Sequence, residues 1–175
     1  MKLDIGCGKN KKEGFTGVDQ YEMPGVDVVM DLRGSWPWED NEVDEVHCSH
    51  FLEHLTQEER VHFMNELYRV MKPGAKATII TPHWNNTRAY GDPTHKWPAV
   101  SEMMFYYLKK EWRDTQAPHT DIKWNRNGYS CDFDATWGHS YGPELAGRSQ
   151  DYIQFALNNL TNAAMDLHAT LVKPV

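Results

Sequence analysis

Within its first 82 residues the chain repeats one pattern five times: a short apolar run that stops on glycine or on a polar side chain. Lys2 to Ile5 stops at Gly6-Cys7-Gly8. Phe15 to Val18 stops at Asp19, and Val26 to Met30 stops at Asp31. Val43 to Cys48 stops at Ser49-His50, and "AKATIITP" runs out at Thr81-Pro82-His83. Runs this short, bounded by Gly, Asp and Pro, read as strands of a parallel sheet. The helix between the fourth and fifth is marked as clearly. Thr56 is a cap with Glu59 three residues later, a capping box. Phe63, Leu67, Val70 and Met71 then share one helical face, and Lys72-Pro73-Gly74 ends a helix over Gln57 to Met71. Beyond residue 82 come a polar and aromatic loop to residue 100, a short helix over Ser101 to Leu108, and a Gly-, Asn- and His-rich region over 118–142 with strand-like pieces such as "CDFDATWG". A helix over Ser149 to Leu160 and an alternating strand, "MDLHATLVKP", close the chain. The expected fold is an α/β open, mostly parallel sheet with helices on both faces and an antiparallel edge strand. It forms one domain over 1–175, with 82–100 as a substrate loop inserted in it.

Composition narrows the function. The net charge of −7 comes with no basic cluster beyond Lys9, Lys11 and Lys12, so polymeric nucleic acid is not an expected partner. Three cysteines without C-x-x-C spacing argue against a disulfide framework and for a reducing, cytoplasmic setting. No apolar run is long enough to span a membrane, and no signal peptide is seen.

In an open α/β sheet, ligands bind outside the carboxyl ends of the strands. Five successive ends here carry glycines, carboxylates or imidazoles toward one crevice. An acid ending the second strand suits a ribose, because a carboxylate can accept both hydroxyl protons. The fourth end also spells HFLEH, with His50, Glu53 and His54 in the H-x-x-E-H pattern of one class of zinc peptidases. A zinc hydrolase would need these residues on a helix and a third ligand. Residue 50 instead follows a strand directly, and the capped helix begins near Thr56. No metal is therefore expected, and the segment reads as a strand-to-helix loop.

"LDIGCG", "GVD", "VVMDL", "VDEVHCSHFLEHL" and "LYRVMKPGAKATIITP" resemble, in order, the motifs of class I S-adenosylmethionine-dependent methyltransferases, across residues 2 to 82. "DLHATLVKP" is similar to that family's closing strand. The resemblance implies a Rossmann-like fold in a compact variant, with S-adenosylmethionine as cofactor and S-adenosylhomocysteine as product. It implies Asp4, Gly6, Cys7 and Gly8 against the methionine part of the cofactor. Asp19, with Gln20 beside it, falls at the ribose, Asp31 and Leu32 at the adenine, and Ser49 and His50 beside the sulfonium. The chain departs from the family in two places. Only "KNKKEGFT" separates Gly8 from the second strand, and Asn10 stands where a third glycine is common. The helices that often precede the first strand and cover the cofactor are also lacking, which raises the expectation of a homodimer that closes the site.

Methyl transfer needs a positioned nucleophile and a base of suitable pKa, which histidine provides untuned. His54, His83 and His95 are the candidates, and His83 is favoured for its place just past the fifth strand. The loop "HWNNTRAYGDPTHKWP" is the expected acceptor wall. It offers Trp84, Tyr90 and Trp97 as stacking faces, the amides Asn85 and Asn86, the cation Arg88 and the acid Asp92. That mixture suits a small polar acceptor such as a saccharide or nucleotide, methylated on a hydroxyl or amine. A cofactor-binding subunit that lacks catalysis or depends on a partner is the alternative.

Overall fold

The computed structural model describes residues 1–120, 122 and 128–175. Seven strands, Lys2–Ile5 (β1), Thr16–Asp19 (β2), Val28–Val29 (β3), Val43–Ser49 (β4), Met71–Pro82 (β5), Asp134–Tyr141 (β6) and Ala164–Val172 (β7), form one sheet in the order β3-β2-β1-β4-β5-β7-β6. The first five are parallel, and β7 runs antiparallel to both β5 and β6. The order reverses between β1 and β4, which opens the crevice at their carboxyl ends. Among the described residues, the α-helices Gln57–Val70 (α1), Arg88–Gly91 (α2), Glu102–Tyr106 (α3), Lys110–Thr115 (α4) and Gln150–Asn159 (α5) follow the chain. Among the described residues no helix is long and apolar enough to cross a membrane. Within the expected 118–142 region, residues 121 and 123–127 lie outside the described residues.

Local chemistry explains the best-predicted element. Thr56 Oγ1 accepts from the Glu59 amide, and Glu59 returns a bond to the Thr56 amide at 2.7 Å. Phe63, Met64, Leu67 and Val70 are buried on the inner face of α1. Thr56→Ala should cost about 0.5–2 kcal/mol of stability, read from the urea midpoint at unchanged m-value. A midpoint equal to wild type would mean that the cap is redundant.

Strand β3 is two residues long, against the five expected over Val26 to Met30. Asp27 explains the loss, since its carboxylate accepts from the Gly17 amide at 2.7 Å and from Lys11 Nζ at 2.8 Å. The Asp27 amide still donates to the Gly17 carbonyl at 2.9 Å, but its side chain claims the Gly17 amide.

In register, Leu3, Ile5, Val46, Cys48, Ala77, Ile79, Leu167, Ala169 and Leu171 share one face, and all are buried beneath α1, α3 and the loop tryptophans Trp36 and Trp38. The opposite face differs in character. Asp4, His47, Thr78, Thr170 and Thr136 form a polar row across it, and only Asp4 of that row is buried. The physical reason lies in the connections. Residues 6–15 are too few for a helix, and instead Phe15 folds over His47, with Lys12 Nζ 4.8 Å from its ring centre.

Candidate functional site

Strand β1 ends in a turn that glycine serves best. Gly6 has φ +65° and Gly8 φ +51°, the left-handed region. A Cβ on Gly6 would stand 2.7–2.9 Å from Phe51 carbons, whereas one on Gly8 would meet nothing within 4 Å. Gly6 thus lets Phe51 close over the turn, and Gly8 leaves backbone bare for a ligand. The Gly8 amide donates to Asp19 Oδ2 at 3.0 Å, and the Tyr21 amide donates to Asp19 Oδ1 at 3.0 Å. Asp19 therefore ties the ends of β1 and β2 together and keeps a second lone pair on each oxygen. Cys7 is buried. Burial, then the charges of Asp4 and Asp19, push its thiol up, so it stays protonated.

Asp4, expected along the cofactor, is on the second face of the sheet. Its oxygens take the Lys12 amide at 2.6 Å and His47 Nδ1 at 2.8 Å. It braces the glycine turn from beneath, which corrects its assignment from a contact residue to a positioning one.

Gln20, Asp31 and Leu32 do converge. With Met30, Phe51 and His54 they line one cleft between the β2 and β3 ends and the β4–α1 segment. Its apolar walls, Met30, Leu32 and Phe51, suit a flat ring. Asp31 is exposed and gripped by Arg33, with Nε at 2.8 Å and an Nη2 contact at 2.7 Å. Those bonds, together with the Arg33 amide, hold its carboxyl down at about 2. A ligand amine there would share Asp31 with Arg33, a residue that sequence reading passed over.

The second pocket opens at the ends of β4 and β5, lined by His50, Glu53, His54, Arg88, Asp92 and His95 among others. His50 sits at φ +55°, a conformation that costs a non-glycine residue free energy and that clusters at functional sites. The Ile80 carbonyl anchors its amide at 2.8 Å, and its Nδ1 meets Glu53 Oε1 at 3.2 Å. That bond raises the basicity of His50 above the ordinary imidazole value. Glu53 is buried, and Thr81 donates to its Oε2 at 3.2 Å. Arg60, also buried, donates to the carbonyls of Leu52, Pro98 and Lys96. It clips the turn carrying Glu53 and His54 to the far end of the 82–100 loop. Asp166 adds a carboxylate that no motif announced. It lies inside β7, and its Oδ1 is 3.1 Å from Arg88 Nη1 and 4.0 Å from His50 Nε2.

Several loop residues are not where sequence reasoning put them. His83 is buried and faces away from this pocket. Its Nε2 meets Glu102 Oε1 at 2.9 Å, its Nδ1 accepts from the Asn85 amide, and His139 Nε2 reaches the same Glu102 oxygen at 2.6 Å. Burial alone would raise the Glu102 carboxyl, but the bonds from His139 and His83 more than reverse it. With both ring nitrogens engaged, His83 has no lone pair left for a substrate proton. Trp84 and Trp97 line a separate cleft with Glu102, Met103 and Tyr106. Asn85 is tied to the Leu160 carbonyl at 3.0 Å, and the buried Asn86 to that of Ala164 at 2.8 Å; both fasten the loop. Tyr90 is 59% exposed and belongs to neither pocket wall. Arg88, Asp92 and His95 alone of the expected acceptor and base residues in this loop face the polar pocket. Ser49 sits half-buried at the end of β4, as expected of a strand end.

Residues 3–79 match the family model described as a methyltransferase domain. No curated protein gives a significant match. Among solved structures, a SAM-dependent methyltransferase from Archaeoglobus fulgidus is 24% identical, with a TM-score of 0.65 over 98% of this chain and 85% of that one. A Haloferax volcanii complex between the Trm112 methyltransferase activator and a methyltransferase follows at 15% identity and TM-score 0.58, covering 99% and 82%. Phosphoethanolamine N-methyltransferase 2 of Haemonchus contortus, solved with S-adenosyl-L-methionine, is 17% identical at TM-score 0.52, covering 99% of this chain and 48% of that one.

Proposed function

We propose, from the premise that residues 3–79 match a methyltransferase domain and that the chain shares the fold of SAM-dependent methyltransferases, that it transfers the methyl group of S-adenosylmethionine to a hydroxyl or amine of a small polar acceptor. One observation carries the reading. The ring-shaped cleft and the polar pocket share His54 and adjoin through residues 50–54, so donor and acceptor would meet across a single short turn. Adenine would lie between Met30, Leu32 and Phe51, and the ribose hydroxyls would reach the free lone pairs of Asp19. The glycine turn would pass along the methionine part, and the sulfonium would face His50.

On the acceptor side, Arg88, Asp92 and Asp166 offer one cation and two carboxylates. A sugar or nucleotide hydroxyl can be held by such a set. Proton removal falls to His54 or His95, whose rings stand 4.8 Å apart at the pocket wall. The stacking faces expected of Trp84 and Trp97 are not part of this pocket, so recognition here rests on hydrogen bonds and charge.

Asp19→Ala should weaken S-adenosylhomocysteine binding by about 1.5–3 kcal/mol, the range for charge-assisted bonds. Calorimetry of variant and wild type reads this directly, and equal affinity would remove Asp19 from the ribose. A mass-shift screen of sugars, nucleotides and small amines for one added methyl tests the acceptor class.

A second reading is a chain that works with a partner. The polar, half-open second face of the sheet supports it, as does the neighbour solved together with an activator. Scattering at micromolar concentration would separate a monomer active alone from a dimer or from a chain that needs a second protein.

A further inference from the structure

HFLEH lacks a third metal ligand in sequence, and the fold supplies one. The 82–100 loop brings His95 back against the turn at Leu52–His54, so that a Glu53 oxygen and one ring nitrogen each of His54 and His95 lie within 4.8 Å of one another. The hydrogen bonds around the two imidazoles set their tautomers. His95 Nδ1 meets the Ala89 carbonyl at 3.1 Å, so that nitrogen must carry the proton. His54 Nδ1 meets Thr94 Oγ1 at 3.1 Å, and Thr94 spends its own proton on Asp92 Oδ1 at 2.7 Å. The threonine oxygen is therefore the acceptor, and His54 Nδ1 also carries a proton. In both neutral rings the remaining lone pair is at Nε2. An imidazole whose second nitrogen donates to an oxygen is the arrangement that orients metal ligands and raises their basicity.

We infer that Glu53, His54 and His95 form a binding site for a divalent first-row transition ion. Two imidazoles and one carboxylate with open positions suit Mn, Fe, Co or Zn better than Mg or Ca. The other cluster of this composition, His83, Glu102 and His139, fails the same test. Both of its Nε2 atoms already donate to one Glu102 oxygen, which leaves no lone pair directed at a shared ion. His50 lies outside this set: its Nδ1 is engaged with Glu53, and its Nε2 is 4.0 Å from Asp166 Oδ1. The ligand set thus differs from the H-x-x-E-H peptidase pattern. It is drawn from a strand-to-helix turn and a distant loop rather than from one helix. The site opens into the polar pocket. Resting on the methyltransferase reading above, the open positions on the ion would take oxygen atoms of the acceptor and lower the pKa of its hydroxyl; with the ion bound, His54 and His95 serve as its ligands, and the hydroxyl proton would leave to water in the open pocket instead of to either ring.

The experiment uses the full chain, purified without a histidine tag and stripped with a chelator. Calorimetric titration with Mn²⁺ and with Zn²⁺ should show one saturable site per chain. His54→Gln and His95→Gln should each weaken it by at least the roughly 10–100-fold that loss of an outer-shell partner costs, and Thr94→Val should fall within that range. His139→Gln should leave metal affinity unchanged. Circular dichroism of each variant establishes that it is folded. Absence of metal binding by folded wild type overturns the inference, as does loss of binding in His139→Gln with retention in His95→Gln. Asp19→Ala keeps the two readings apart. It should lose S-adenosylhomocysteine and keep the metal, so failure of the cofactor site and failure of the metal site give different results.

Discussion

Gly6→Ala should destabilise the protein by about 2–5 kcal/mol, combining roughly 1–2 kcal/mol for a side chain in the left-handed region with about 1–3 kcal/mol for overpacking. The second part arises because the new methyl would overlap Phe51, whose Cβ is 2.8 Å away and cannot swing aside as a flexible tip would. Gly8→Ala is the internal control. It carries a left-handed φ of +51° but open space around it, so it should lose only the roughly 1–2 kcal/mol backbone part. Urea unfolding of the two variants measures the difference, and Gly6→Ala combined with Phe51→Ala should show a favourable coupling energy. If Gly6→Ala unfolds at the same midpoint as Gly8→Ala, the close packing of Phe51 on the turn is not what that glycine provides. Because Phe51 also walls the ring-shaped cleft, Gly6→Ala should weaken S-adenosylhomocysteine binding as well.

The second large effect is expected at Arg60. Its guanidinium is buried and serves three carbonyls, Leu52 at 3.1 Å, Pro98 at 2.6 Å and Lys96 at 3.2 Å. Arg60→Met keeps the apolar stem and strands those carbonyls, at about 1–3 kcal/mol for each that water does not reach. The Leu52 bond is the buried one, so a total of about 2–4 kcal/mol is expected. The consequence reaches beyond stability. Without the clip, the turn carrying Glu53 and His54 is no longer tied to the loop carrying Arg88, Asp92 and His95. Limited proteolysis should then cut within residues 82–100 well before it does in wild type, and the KM for the acceptor should rise more than that for the cofactor. An Arg60→Met protein as stable and as protease-resistant as wild type would show that the loop holds its place by other means.

Much of this architecture is written locally. The capping box at Thr56 and Glu59 acts within one helical turn, and the turn at Lys72-Pro73-Gly74 uses the left-handed φ of +80° that Gly74 adopts. The strand ends at Gly6, Asp19 and Asp31 are equally local, because a parallel strand must stop where the chain turns. The alternation in "VDEVHCS" and "DLHATLV" already shows which side of the sheet is the more polar. The crossover of residues 6–15 pointed the same way, since too few residues remain between β1 and β2 to build a helix.

The active-site chemistry was less legible, and the reason is distance along the chain. His83 follows a strand end, as a catalytic histidine could. Its fate is decided by Glu102 and by His139, on a strand that pairs with β7. Asn85 and Asn86 look like recognition amides, yet carbonyls at Leu160 and Ala164 claim them. Asp166 reads as one polar position in an alternating strand, and only the pairing of β7 with β5 brings it beside Arg88. HFLEH carries two donors of the inferred metal site, and the third, His95, enters only when the loop folds back. By itself the sequence determined the strand ends, the capped helix and hence the crevice at the sheet's carboxyl edge, because those rest on backbone geometry and on contacts within a few residues. Which side chains face that crevice was settled by the tertiary structure alone. A hydrogen bond forms with whatever the fold brings within about 3 Å, and no local pattern encodes that.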